Sequence, residues 1–282
     1  MKILVTGATG GLGNTIIENL LKRGIDVIAT SRDEQKAKQS DFYSKVTYLP
    51  LDIYEDTTQD LFVYFQKPDA IIHCAWEKLG AAEYKNPLHT SLILGKHKAF
   101  LTNLINHGLT DVTVVGTCYE YGLREGILSE EMPSDPTVEY SLSKNLLREY
   151  LEEHAFTNKP LVKWVRVFYV FGEVKGRKNL YTHLVEAVKR GDESFNMSGG
   201  EQIRDFLTSE EVANIIVRIA IQKKVFGIIN CCSGKPVKLR TMIEDFLSSH
   251  QYRIKLNLGF YPYPDYEPME TWGSIEKLKL VP

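Results

Sequence analysis

The sequence predicts an α/β fold built on a doubly wound parallel sheet, with a smaller carboxy-terminal lobe. Three observations carry that expectation. Short apolar runs alternate with helix-compatible segments over residues 1–170. The first run ends in a glycine-rich turn that opens a helix. After Phe171 and Gly172 the pattern gives way to charged and small residues. Strands alternating with helices imply parallel neighbours, because each helix returns the chain so that the next strand starts in the same direction, and both faces of the sheet are then covered.

In chain order, residues 2–6 (KILVT) form the first strand, and an amphipathic stretch over 14–23 forms the first helix before Gly24 stops it. Further strands are expected at 26–30, 46–51, 70–75 and 112–115, a helix at 141–155 and a buried strand at 162–169. Beyond Gly172 come a helical stretch at about 209–222, a strand at 227–231 and a tail at 260–268 rich in Tyr and Pro. The expected division is a dinucleotide-binding unit over 1–170 and a substrate lobe over 171–282, with 207–232 able to pack back on the first unit.

Composition narrows the function. With 282 residues, 43% apolar and 25% charged, the chain can bury a sizeable core, and a net charge of -2 offers no clustered basic face for nucleic acid. The four cysteines form no CxxC pair and the seven histidines show no zinc-type spacing, so reduced thiols and no metal are expected. The amino terminus runs straight into a strand with no long apolar segment, which points to a cytoplasmic protein without a membrane partner.

Gly7, Thr9, Gly10, Gly11, Leu12 and Gly13 (within GATGGLG) lie between the first strand and the first helix. A dinucleotide pyrophosphate needs this arrangement: backbone without side chains for close approach, and a helix amino terminus whose N–H groups favour anions. The second strand ends Ala29-Thr30-Ser31-Arg32, with Ser31 where an NAD site usually has an acid. Losing that carboxylate removes repulsion toward a 2′-phosphate, and Arg32 offers a planar fork to pair it, so NADPH is preferred over NAD. The other reading leaves Arg32 a solvated loop charge and gives the acid's role to Asp33.

TGATGGLG, with its three-residue glycine spacing, resembles the extended short-chain dehydrogenase/reductase family, whose fold is of the Rossmann type and whose cofactor is NAD or NADP. By that resemblance Asp52 and Ile53 contact adenine, and Cys74 and Ala75, after His73, form a small-residue turn beside the cofactor. A helix cap at Asp52 and a packed core histidine at His73 are the plain alternatives. Leu92 stands where the family has Asn in the helix before the fifth strand.

Of fifteen tyrosines only Tyr140 has a lysine four residues on, Lys144, in YSLSK at the start of a predicted helix. That spacing places both on one face, where an ammonium favours tyrosinate and fits Tyr140 to exchange a proton with a sugar oxygen. Upstream, GTCYEYG resembles the family's Ser/Thr segment and places Thr117 to hydrogen-bond a substrate carbonyl. The resemblance also gives Lys144 the nicotinamide ribose. In the plain alternative Thr117 caps a strand end and Tyr140 packs.

Cys118-Tyr119 replaces the Asp-Glu pair of the family's 4,6-dehydratases, and Tyr119 replaces the cysteine of its 3,5-epimerases. What remains is reduction of a 4-keto sugar, with a 4-epimerase retaining NAD as one alternative and a non-catalytic dinucleotide sensor as another. Residues 166–172 (RVFYVFG) resemble the stretch passing the nicotinamide, which assigns Phe168 to the cofactor and Tyr169 to the substrate. Gly200 to Phe206 (GEQIRDF) resembles a segment whose Arg, here Arg204, meets the substrate diphosphate. An ion pair with Asp205 or Glu201 is its alternative. Asn179 resembles a polar contact to the same diphosphate, and Trp76, Tyr119 and Glu120 either line the sugar pocket or pack. The implied partner is a nucleotide-diphosphate sugar, and the implied assembly a homodimer through helices at about 90–107 and 141–155.

Overall fold

The structure, a computed structural model, describes residues 1–77, 79, 84–156, 159–174 and 178–282. Its largest element is a seven-stranded parallel sheet made of β1 (Lys2–Thr6), β2 (Asp26–Thr30), β3 (Thr47–Tyr48), β4 (Ala70–His73), β5 (Asp111–Thr117), β7 (Leu161–Val167) and β11 (Gly227–Cys231), the numbers skipped being taken by smaller sheets. Its order is β11-β7-β5-β4-β1-β2-β3. The chain winds outward from β1 in one direction and then in the other, so a crevice opens between β1 and β4 at the carboxyl ends of the strands.

Strands β1, β4 and β5 are apolar on both faces because both are covered. One face packs under α1 (Gly11–Lys22) and α7 (Ser209–Ala220), whose Ile16, Ile17, Ile216 and Ile219 are fully buried in the same cluster as Val5, Ile72 and Val165. On the other face Leu4, Ile71 and Val114 pack with Leu101 and Leu104 of α4 (Leu94–Asn106) and Leu147 of α5 (Glu139–Glu153). Helices α2 (Glu34–Lys38) and α3 (Leu61–Tyr64) are short. The segment that carries α7 and β11 returns to this sheet, with β11 pairing β7 from Gly227 opposite Lys163 onward.

The remaining strands form three smaller sheets. The three-stranded sheet β12-β10-β8 uses β8 (Tyr169–Val170), β10 (Ile203–Leu207) and β12 (Pro236–Lys238); β9 (Ser194–Asn196) pairs β13 (Lys255–Asn257), and β6 (Gly126–Leu128) pairs β14 (Thr271–Gly273). Helices α6 (Leu180–Arg190) and α8 (Leu239–Ser249) pack on them through Leu184, Ile243 and Leu247.

Several boundaries differ from expectation for physical reasons. Helix α1 begins at Gly11, three residues earlier than its apolar period indicates, because the glycine turn itself runs into the helix. Strand β3 keeps two residues of the expected six, as an edge strand pairing on one side only. The helix expected at 90–107 opens with a π-helical turn, His89–Ile93, which carries the exposed Leu92. Among the described residues no helix is long and apolar enough to cross a membrane, and no cluster of His, Cys, Asp and Glu could hold a metal.

Candidate active site

The glycine turn at the end of β1 is built for close approach. Gly7 has φ +69°, and a Cβ there would lie 2.9 Å from the backbone nitrogen of Ala75; a Cβ on Gly13 would press into the Gly7 carbonyl oxygen. Helix α1 has Gly10 at its N-cap with no side-chain cap and no acid in its first turn. Its first N–H groups, from Gly11, Leu12 and Gly13, are therefore left for an anion, and a pyrophosphate fits this cradle. Thr9 stands in the same turn, half-buried.

At the end of β2, Ser31 Oγ lies 2.9 Å from the hydroxyl of Tyr48, which donates to the Ser31 carbonyl at 2.8 Å. Arg32 is held by Glu77 through two parallel bonds of 3.0 and 3.1 Å. It is thus not an open fork, and its side chain remains largely exposed. Asp33 caps α2 by accepting from the Lys36 N–H, and Asp52 accepts from the Tyr54 N–H at 3.0 Å, beside the buried Ile53.

Towards β4 the buried polar groups form one chain. The Ala75 N–H donates to Thr6 Oγ1, Thr6 meets His73 Nδ1 at 2.9 Å, and His73 Nε2 lies 2.8 Å from His97 Nδ1. Burial lowers the pKa of His73 to about 3 and that of His97 well below normal, so both rings are neutral, as donor-to-acceptor pairing of the two imidazoles requires. His73 is a core histidine. Cys74 beside it is half-buried, and burial raises its thiol pKa to about 12.

Tyr140 and Lys144 stand in the first turns of α5, where Tyr140 is half-buried and Lys144 is 4% exposed. Lys144 Nζ donates to the Val115 carbonyl of β5 at 2.7 Å, lies 4.1 Å from the centre of the Trp76 ring and 5.4 Å from that of Tyr140. Burial pushes its pKa down to about 8. Trp76, Tyr84 and His89 surround the Tyr140 ring at 6.1, 5.1 and 5.5 Å. Trp76 lies parallel to His97 at 4.3 Å, so its ring forms the wall beside Lys144. Thr117 ends β5, and its Oγ1 accepts the Tyr119 N–H at 3.4 Å as a cap. Capping uses a lone pair and leaves the hydroxyl proton for donation.

Three assignments made from the sequence need correction. Glu120 is not a pocket residue: it is fully buried, paired with Arg166 at 2.9 Å, bonded by Trp164 Nε1 at 2.8 Å and by the Thr117 N–H at 2.8 Å, because a buried guanidinium on β7 needs a counter-charge. Asn179 is the N-cap of α6; its Oδ1 accepts from the Thr182 N–H and its Nδ2 donates to the Gly172 carbonyl, which engages both ends of the amide locally. Phe168 is buried in an apolar cluster with Tyr121, Leu128 and Cys232.

Arg204 is 3% exposed and pairs with neither expected acid: Glu201 holds Lys238, and Asp205 accepts from the backbone of Ser233 and Gly234. Its partner is Glu267, at 3.1 Å, whose other oxygen accepts from the Tyr119 hydroxyl at 2.7 Å. Arg204 also lies 4.9 Å from the centre of the Tyr169 ring. Tyr266, next to Glu267, meets Tyr84 and Tyr119. The carboxy-terminal tail therefore closes the site from above. Its Tyr/Pro composition was visible in the sequence, but nothing there paired it with Arg204. Earlier in the same tail, Tyr261 and Pro264 line a cavity of about 610 Å³ with Leu180, Phe195, Met197 and Leu239.

Comparison with known proteins identifies the family and the fold. A family model described as the NAD dependent epimerase/dehydratase family matches residues 3–232. The dTDP-6-deoxy-L-talose 4-dehydrogenase (NAD(+)) of Aggregatibacter actinomycetemcomitans is 30% identical over 97% of this chain and 100% of its own. The GDP-6-deoxy-D-talose 4-dehydrogenase of the same organism is 25% identical over 95% of this chain and 87% of its own. Among solved structures, an NAD dependent NDP-hexosamine 5,6-dehydratase of tunicamycin biosynthesis superposes with a TM-score of 0.82 at 22% identity, covering 100% of this chain and 91% of that one. A UDP-glucose-4-epimerase from Stenotrophomonas maltophila gives 0.85 at 17% identity, covering 100% and 92%. At these identities the two structures bear on the fold alone.

Proposed function

The chain belongs to the NAD dependent epimerase/dehydratase family, and from that premise we propose that it is an oxidoreductase acting at C4 of a nucleotide-linked 6-deoxyhexose, reducing a 4-keto group to an alcohol. The observation that carries this reading is the placement of Lys144. Its ammonium is fixed between the Val115 carbonyl, Trp76 and Tyr140, at the end of the strand that carries Thr117. Two relatives that span nearly the whole chain, both named 4-dehydrogenases, support the choice of C4, since oxidation of that hydroxyl is the same reaction run backwards.

The residues divide the work. Thr117 donates to the carbonyl oxygen, Tyr140 delivers the proton that this oxygen needs as the alcohol forms, and Lys144 keeps Tyr140 acidic and holds the ribose. The turn of Gly7, Thr9, Gly10, Gly11, Leu12 and Gly13 receives the pyrophosphate, Ser31, Asp52 and Ile53 line the adenosine end, and Cys74 and Ala75 the nicotinamide end. A bound nicotinamide dinucleotide supplies the hydride. Ser31 in place of an acid leaves room for the 2′-phosphate of NADPH, which Arg32 can meet by releasing Glu77. NADH needs no such release. We take both as ligands: the second strand favours NADPH, and the Glu77 pair leaves NADH unhindered.

On the substrate side Arg204 is assigned to the diphosphate, with Glu267 giving way to it, and the ring faces of Trp76, Tyr119 and Tyr169 to the sugar. Residues 1–170 serve mainly the dinucleotide and 171–282 mainly the nucleotide sugar, with Trp76, Thr117, Tyr119 and Tyr169 reaching the sugar from the first unit and the 207–232 segment packed on the main sheet. The reaction belongs in the cytoplasm, in a homodimer formed through α4 and α5. The test mixes the protein with NADPH or NADH and dTDP-, GDP-, CDP- and UDP-linked 4-keto-6-deoxy sugars while following nicotinamide absorbance. Substrate-dependent loss supports the reading and names the nucleotide; no loss with any of them overturns it.

A further inference from the structure

We propose that Glu77 sets the choice between NADH and NADPH by holding Arg32 as an internal stand-in for a 2′-phosphate. The inference rests on the dinucleotide site described above and goes beyond it, because it assigns a specificity-determining role to a residue that need not touch the cofactor. Arg32 follows Ser31 at the end of β2, and Glu77 lies four residues beyond the end of β4. In the sheet β1 lies between these two strands, so the pair crosses the end of β1 and spans the crevice.

The chemistry of the contact is that of a phosphate site already filled. Both Glu77 oxygens take parallel bonds from the two terminal guanidinium nitrogens of Arg32, at 3.0 and 3.1 Å, the arrangement in which Arg also grips phosphate. The side chains remain 57% and 23% exposed, so the pair is weakly held and an incoming anion can displace it. Displacement has a second cost, because the freed Glu77 and the neighbouring Asp52 both repel a phosphate dianion, and Asp52 already lies close enough to act on Arg32. A dinucleotide without a 2′-phosphate meets none of this. Arg32 taken alone reads as an NADPH determinant; paired with Glu77 it is neutralised.

The test measures dissociation constants of NADH and NADPH by nicotinamide fluorescence for the full-length wild type, Glu77→Gln, Arg32→Ala and the double variant. Glu77→Gln keeps the side chain's size while removing competition and repulsion together, so the ratio of the NADPH to the NADH constant is expected to fall about tenfold, equivalent to about 1.4 kcal/mol. With Arg32→Ala in the background the same change is expected to move the ratio far less. A residue with only a structural role would weaken both dinucleotides alike and leave the ratio in place. If both bind and Glu77→Gln leaves the ratio within about twofold of wild type, the proposal is overturned while the dinucleotide site stands, since twofold is under half a kcal/mol. If neither binds the wild type, the site reading itself fails and the proposal with it.

Discussion

Arg204 and Glu267 form an ion pair at 3.1 Å across sixty-three residues of sequence, and the same carboxylate accepts from Tyr119. The one cation assigned to the substrate diphosphate is thus held by the tail that covers the site. The Glu267 carboxylate occupies the place beside Nη2. Under the proposed assignment, substrate binding and the position of the tail are linked through a single guanidinium.

Arg204→Met is expected to raise KM for the nucleotide sugar by more than tenfold while kcat for bound substrate changes little, because the lost contact is made equally in ground and transition states. The variant also strands Glu267, whose side chain is 16% exposed, and stability should fall by about 3 kcal/mol, the low end for breaking a buried pair. Steady-state kinetics and denaturant titration on one preparation check both.

Tyr140→Phe removes the proton donor and leaves the ring packing against Trp76, Tyr84 and His89. Turnover should fall by about 10²–10⁴-fold, the range for losing a positioned acid, while dinucleotide affinity holds within a few fold. Loss of affinity as large as the loss of rate would move Tyr140 from chemistry to binding.

The lysine gives two opposite pH responses. With its pKa lowered to about 8 by burial, Lys144 is charged below that pH and neutral above it. The kcat/KM for the dinucleotide, which reports groups of the free enzyme, should descend above pH 8 as the ammonium is lost. Stability runs the other way: the unfolded lysine, with its higher pKa, binds more protons above pH 8, so folding is opposed most at lower pH and the opposition fades as pH rises from 8 toward the ordinary lysine value. Lys144→Met should be the more stable protein at neutral pH and lose that advantage above pH 8, as thermal melts of the two proteins would record.

Glu120→Gln tests the correction made to that residue. Arg166 and Glu120 are both fully buried, and Arg166 reaches Ser134 as well. Neutralising the acid leaves a buried guanidinium uncompensated, and stability should drop by about 3–5 kcal/mol with KM for substrate little changed in the folded fraction. A large KM effect at unchanged stability would return Glu120 to the pocket.

The parts legible in the sequence are those set by local pattern. Strand β1 with its glycine turn, the strand Gly227–Cys231 and the Tyr140–Lys144 face of α5 each follow from neighbours within a few residues. The parts missed depend on pairs far apart in the chain. Glu120 reads as either a pocket residue or a packed one until Arg166 is placed beside it, forty-six residues on, and Arg32 reads as an open phosphate fork until Glu77 is placed beside it, forty-five residues on. Asn179 followed a different course, because its capping of α6 was a local signal that the family resemblance displaced.

The most direct test of hydride delivery to C4 uses reduced nicotinamide carrying deuterium at the transferable position, incubated with the 4-keto sugar nucleotide that the panel identifies. The account expects one deuterium at C4 of the recovered sugar for each dinucleotide oxidised, with the transfer lost in Tyr140→Phe. An isomerised sugar without deuterium and without net loss of reduced dinucleotide would contradict it and identify an epimerase that recycles its own hydride.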